Sequence, residues 1–151
     1  LVLITNASMF HRPVVQRGLE ILDRNQGEIW AKLDAGTERY YQLIDRTKIP
    51  FRQVLENITQ AAIARPLVIQ SLFMRVNGEP PAPAEIDAYI ERLREIVAAG
   101  GRLRLVQVYT VARTPAESYV TPLHREEVDA IAERVEHDAR LGAVAFYGPA
   151  E

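Results

Sequence analysis

Lys32 and Asp34 stand two residues apart at the end of Glu28-Ile29-Trp30-Ala31-Lys32-Leu33-Asp34-Ala35-Gly36, a segment in which apolar and polar residues alternate. On a strand this spacing puts an ammonium and a carboxylate on one face. The lysine is then placed to pair with a ligand carboxylate or phosphate, and the aspartate to accept hydrogen bonds from hydroxyl or amino groups. A second segment, Leu1 to Ile4, is apolar throughout and ends in Thr5-Asn6-Ala7-Ser8. Gln70 and Ser71 lie within the apolar run Leu67 to Phe73, and Gln107 and Tyr109 within Arg102 to Thr110. Thr5, Asn6, Lys32, Asp34, Gln70, Ser71, Gln107 and Tyr109 are therefore expected at or near the ends of neighbouring strands, lining one cavity mouth. The alternative for each is a mutually satisfied polar network with no ligand.

The elements that must position these residues follow from periodicity. Short apolar runs alternate with longer segments at helical spacing, the βαβα pattern of a parallel sheet. One helix begins near Pro13, carries the stripe Val15, Leu19 and Leu22, and ends at Asn25-Gln26-Gly27. A short helical piece capped by Thr37 follows, and the next helix carries Phe51, Val54, Leu55, Ile58 and Ala62. A third runs from about Pro83 to Ala99 with Ile86, Ile90, Leu93 and Val97 inward. The last is expected to open at Thr121-Pro122, with Val128, Ile131, Val135 and Ala139 as its stripe, before a final strand from Ala143 to Tyr147. Right-handed crossovers make successive units curl the same way, giving five strands in the order 1-2-3-4-5. Residues 1–151 thus read as a single α/β domain of parallel βα repeats forming an incomplete TIM-like barrel, because closing eight strands takes about 250 residues. An open doubly wound sheet is the alternative, and in both architectures ligands bind at the C-terminal ends of the strands.

Composition narrows the chemistry. The 151 residues include no cysteine, which excludes disulfides, thiolate nucleophiles and iron–sulfur clusters held by the chain's own thiolates. A formal charge of −2 supplies no field that would gather nucleic acid, so nucleic acid is not the default partner. No run approaches the roughly eighteen apolar residues of a membrane span, and no signal peptide is evident, so the protein reads as cytoplasmic with no membrane partner. His11, His124 and His137 lack ligand spacing and read as surface or capping residues, and no P-loop, Gly-x-Gly-x-x-Gly or Gly-x-Ser-x-Gly sequence occurs.

Taken in order, Thr5-Asn6, Lys32-Leu33-Asp34-Ala35-Gly36, and Gln107-Val108-Tyr109 followed by Arg113 and Pro115-Ala116-Glu117 resemble the radical S-adenosylmethionine enzymes. They look like that family's strand ending in Thr-Asn-Gly, its next strand ending in a Ser/Lys-Leu-Asp-Ala/Gly element, and a later strand leading into an Arg-Pro-Pro-Ala-Glu-like loop. The last two are similar to Fe–S oxidoreductase members related to wyosine-forming and molybdopterin-precursor enzymes. The resemblance covers essentially the whole chain and places it in the C-terminal portion of the family's partial barrel. It implies a site where a [4Fe–4S] cluster reduces S-adenosylmethionine to a deoxyadenosyl radical that abstracts hydrogen from a substrate. Asn6, Lys32 and Asp34 would then hold the methionine and ribose ends of the cofactor, with Gln107 and Val108 near its adenine. Thr5 and Ser71 would complete the cofactor side, and Gln70, Tyr109 and Arg113 would face the unknown substrate.

Two departures qualify what the resemblance implies. Ala7 stands where the family usually has glycine, and the three-cysteine loop that holds the cluster is absent. In the family that loop precedes the strand matched by Leu1 to Asn6, and Leu1 sits directly inside an apolar strand. The chain is therefore expected to be a truncated enzyme, inactive by itself and holding no metal. Asn77-Gly78-Glu79-Pro80 is superficially similar to the family's Gly-Gly-Glu-Pro ending but reads as a proline turn.

Two other readings stay open. In an aldolase-like barrel Lys32 would be a Schiff-base lysine, with Asp34 or Tyr109 handling protons. As a non-catalytic interaction domain, the chain would form a homodimer through the unpaired apolar edge from Leu1 to Ile4.

Overall fold

The β-branched and leucine-rich runs pair in parallel as one sheet. A computed structural model describes residues 1–148 and gives, in chain order, β1 (Val2–Thr5), α1 (Pro13–Arg24), β2 (Glu28–Lys32), α2 (Glu38–Asp45), α3 (Phe51–Ala64), β3 (Leu67–Leu72), β4 (Met74–Val76), α4 (Pro83–Ala98), β5 (Leu103–Tyr109), β6 (Val120–Pro122), α5 (Arg125–Asp138) and β7 (Ala143–Phe146). The main sheet has the order β1-β2-β3-β5-β7, all parallel. This is the expected order of five strands. The expected strand 4 corresponds to β5 and strand 5 to β7.

Helix starts follow local chemistry. Pro13 and Pro83 open α1 and α4, where a missing N–H costs nothing. The Thr37 hydroxyl accepts the Tyr40 N–H at 3.2 Å and caps α2. Glu127 reaches back to the His124 N–H at 2.8 Å, so α5 begins at Arg125. Thr121-Pro122 does not open that helix. It lies in β6, which pairs antiparallel with β4 as a small second sheet absent from the sequence reading. The turn after β4 places Asn77 at φ 52° and Gly78 at φ 81°, and Val76 and Glu79 exchange backbone hydrogen bonds across it.

Because the order is unidirectional, right-handed crossovers put the helices on one face of the main sheet. Ile29, Ala31, Leu33, Leu67, Ile69, Val106 and Val108 point to that face and are buried, together with Leu19, Ile58, Ile90, Leu93, Ile96, Val128 and Val135 from the helices. Each such valine, leucine or isoleucine contributes about 1.5–3 kcal/mol by leaving water. On α4 the inward residue near the C-terminus is Ile96, while Val97 is exposed, a one-residue correction to the expected stripe. On β5 a register shift sets Leu103 opposite Leu67 and so turns it toward the helices, whereas Leu105, Gln107 and Tyr109 stay on the other face.

Among the described residues that other face has no helical cover, although Val68 and Gln107 near its middle are buried. The register aligns Ile4 with Trp30, Lys32 with Gln70, Gln70 with Gln107, and Tyr109 with Phe146. Val2, Ile4, Val144 and Phe146 are exposed there. The continuous apolar run of β1 suggests burial on both faces, yet β1 is an edge strand with one face bare. Parallel sheets are normally covered on both sides, and one-sided cover is the geometry of a barrel wall. Among the described residues no helix is long and apolar enough to cross a membrane.

Candidate active site at the strand ends

At the C-terminal edge of β2 the Lys32 ammonium lies 3.0 Å from Asp34 Oδ2, and the Leu72 N–H donates to Asp34 Oδ1 at 2.7 Å. Asp34 is only 3% exposed, and it links β2 to β3 through the Leu72 N–H while anchoring the lysine. Burial pushes the Asp34 carboxyl upward against the pull of Lys32 and of the Leu72 N–H. Burial works against the Lys32 ammonium, but the negative charge of Asp34 and its hydrogen bond outweigh it and raise its pKa. A Schiff-base lysine needs the opposite shift, toward a free amine at neutral pH. The ion pair therefore opposes the aldolase-like reading.

Asn6, Lys32, Asp34, Tyr41, Asp45 and Thr47 line a cavity of about 80 Å³ beside this pair. Tyr41 stacks on Phe51 at 5.0 Å between ring centroids and closes its floor. Asp45 is solvent-exposed over much of its surface, yet loss of solvation and the charge of Asp34 push its carboxyl up to about 6, with Lys32 opposing. The enclosed space is smaller than the roughly 300 Å³ of a pocket for a whole small molecule. It suits one polar end of a ligand whose remainder lies along the bare face.

The β1 loop is held by its own polar residues. Thr5 Oγ1 accepts the Ala7 N–H and Asn6 Oδ1 accepts the Ser8 N–H, both at 3.1 Å. Ala7 has φ 60°, the left-handed region that favours glycine, which explains physically why glycine suits this position. Asn57 on α3 donates to the Ala7 carbonyl at 2.8 Å and the Ser8 carbonyl at 3.2 Å, fixing the turn from below.

Further along the bare face, Gln70 Nε2 donates to Gln107 Oε1 at 2.8 Å, and half-buried Tyr109 follows on the same side. Asn6, Lys32, Asp34, Gln70, Gln107 and Tyr109 thus share the strand-end region. The single mouth expected for all eight residues does not form. Thr5 and Ser71 fall at alternate positions and face the helices, where Ser71 Oγ bonds Tyr89 OH at 2.7 Å. The Val108 side chain is likewise fully buried on the helix side, leaving only its backbone near the edge. Arg113 is exposed in the loop after β5.

Several polar residues of the site region escaped the sequence reading. Asn57, Glu85 and Tyr89 are buried on the inward faces of α3 and α4. Their signal was a polar residue on an otherwise apolar helical stripe: Asn57 beside Val54 and Ile58, Glu85 beside Ile86 and one turn before Tyr89. Asp45 carried no such signal, because its place beside Asp34 depends on how α2 folds back.

No protein-family model matches the chain, and no curated protein matches it. Among solved structures it is similar to a radical SAM methyltransferase from Sphaerobacter thermophilus, with a TM-score of 0.62 and 15% sequence identity over 87% of this chain. The chain spans 38% of the length of that protein. A likeness at this identity is one of fold: the chain has an α/β architecture of five parallel strands alternating with helices, consistent with a partial barrel.

Proposed function

We propose that the chain forms the S-adenosylmethionine-binding wall of a radical SAM enzyme of the Fe–S oxidoreductase type. The observation that carries this reading is the charged cluster at the β2 end, Lys32 with Asp34 and Asp45, at the rim of a bare barrel-wall face. S-adenosylmethionine presents a carboxylate, an ammonium, ribose hydroxyls and a heterocycle. The Lys32 ammonium has donors beyond the one used by Asp34 and can meet the carboxylate. Asp45 and the remaining lone pairs of Asp34 can accept from ammonium or hydroxyl groups, with the Asn6 amide beside them. The paired Gln70 and Gln107 amides and the Tyr109 ring lie further along the same face, suited to the adenine and the substrate. In this reading Thr5, Ser71 and Val108 act through backbone placement, and Arg113 reaches substrate from its loop.

The donor set fits the organic cofactor and does not fit the cluster. A [4Fe–4S] cluster needs thiolates, the sequence has no cysteine, and no group of three or more His, Cys, Asp or Glu residues gathers among the described residues. The proposal therefore assigns the cluster's ligands, and with them radical generation, to residues outside these 151.

Isothermal titration calorimetry of the chain with S-adenosylmethionine tests the reading. Wild type is expected to bind, and Lys32→Met to weaken binding roughly 10–100-fold, the loss of one charge-assisted contact. Absence of heat from wild type at millimolar cofactor would overturn the reading in favour of a non-catalytic interaction domain.

A further inference from the structure

We infer that Glu85 on α4 is a positioning residue for the Lys32–Asp34 pair, acting through the Ala35-Gly36-Thr37 turn. The inference rests on the cofactor-binding reading for its functional meaning, and on geometry alone for its mechanism.

Glu85 occupies an inward position of α4, where its neighbours Ile86, Ile90 and Leu93 are apolar. Packing a helix on a sheet requires nothing charged there, and a buried carboxylate is costly unless its oxygens are satisfied. It is 7% exposed, and its oxygens accept the Gly36 N–H at 2.5 Å, the Thr37 N–H at 3.1 Å and the Thr37 hydroxyl at 2.7 Å. All of these donors lie within three residues of Asp34. The turn is pressed onto the helix: a Cβ on Gly36 would come 2.1 Å from the Tyr89 nitrogen, so only glycine passes.

The same helix grips the other backbone segment that fixes Asp34. Tyr89, one turn beyond Glu85, bonds Ser71 of β3, and the next residue, Leu72, donates its N–H to Asp34. Helix α4 therefore holds the turn after Asp34 with one side chain and the strand opposite Asp34 with the other. Thr37 also caps α2, the helix that carries Tyr41 and Asp45 to the cavity. Loss of the Glu85 carboxylate would free the turn, and with it the distance between Asp34 and Lys32.

The experiment compares wild type, Glu85→Gln, Glu85→Asp, Thr37→Val and the exposed control Glu91→Gln in the full chain. Readouts are the Asp34 carboxyl titration by carbon-13 NMR, S-adenosylmethionine affinity, and thermal unfolding. Glu85→Gln is expected to shift the Asp34 midpoint by at least about half a pH unit and to weaken the cofactor about tenfold. Thr37→Val, which removes the hydroxyl contact to Glu85 together with the α2 cap, is expected to shift both in the same direction, and Glu85→Asp, which leaves the cap in place and draws the carboxylate back from the turn, decides the matter if Glu85→Gln does not fold. Glu91→Gln is expected to change neither. A lowered melting temperature with an unchanged Asp34 midpoint would overturn the positioning role. If wild type binds no cofactor, the functional reading fails by itself, and the Asp34 titration still decides whether Glu85 positions the pair.

Discussion

Asp45 offers the clearest handle on the electrostatics of the cavity. Its carboxyl is raised from 3.8 to about 6, chiefly by lost solvation and then by Asp34. A carboxyl whose folded pKa is raised contributes stability below its unfolded pKa and loses it as pH rises through the folded value. The chain is therefore expected to lose stability between about pH 4 and pH 6 from this group, by under about 1 kcal/mol because much of Asp45 meets solvent. Asp45→Asn should remove that decline, measured by denaturant unfolding at pH 4 and pH 7, and an unchanged pH dependence would contradict the assignment. Which residues share a face was legible for Lys32 with Asp34 and for Gln107 with Tyr109, since strand period fixes it, whereas Gln70 was grouped with its out-of-phase neighbour Ser71. Thr5, Ser71 and Val108 are one residue out of phase, and proximity to a strand end concealed that. The pairing of Lys32 with Asp34 itself, instead of each with a ligand, needs the depth at which Asp34 is buried, which no local pattern encodes.

At the scale of elements, the site loops owe their shape to helices that lie beneath them. Asn57 on α3 holds the β1 loop as Glu85 on α4 holds the β2 turn, each buried side chain satisfying backbone groups about fifty residues away. Asn57→Ala leaves the Ala7 and Ser8 carbonyls without that donor and is expected to cost about 1–3 kcal/mol. Chemical denaturation measures this, and a loss below about 0.5 kcal/mol would show that the loop holds itself. Strands and helices of the main layer were readable from periodicity and from Pro13, Thr37 and Pro83. The small β4–β6 sheet was not, because three-residue strands carry too little pattern. Its one local signal was Asn77-Gly78, a pair suited to positive φ at both positions.

Over the described residues the chain has an α/β fold consistent with a partial barrel: five parallel strands, helices on one face, and an uncovered face bearing exposed Ile4 and Phe146, half-buried Trp30, Lys32 and Tyr109, and buried Gln107. The strand order was legible because right-handed crossovers leave few choices, and the one-sided cover follows from that order. Edge strand β1 carries Val2, Leu3 and Ile4, all exposed, with no charge or proline to discourage pairing. Self-association of the 151-residue chain through this edge is expected in light scattering at high concentration, and Leu3→Lys should reduce it. A strictly monomeric wild type would refute that expectation.

Mapping amide chemical-shift changes by nitrogen-15 NMR during titration with S-adenosylmethionine tests most directly whether the strand-end cluster receives that cofactor. Saturable shifts are expected, concentrated at Asn6, Lys32, Leu33, Asp34 and Gln107. Shifts confined to the opposite end of the sheet, around Arg65, Arg102 and Arg104, or no shifts at all, would contradict that expectation.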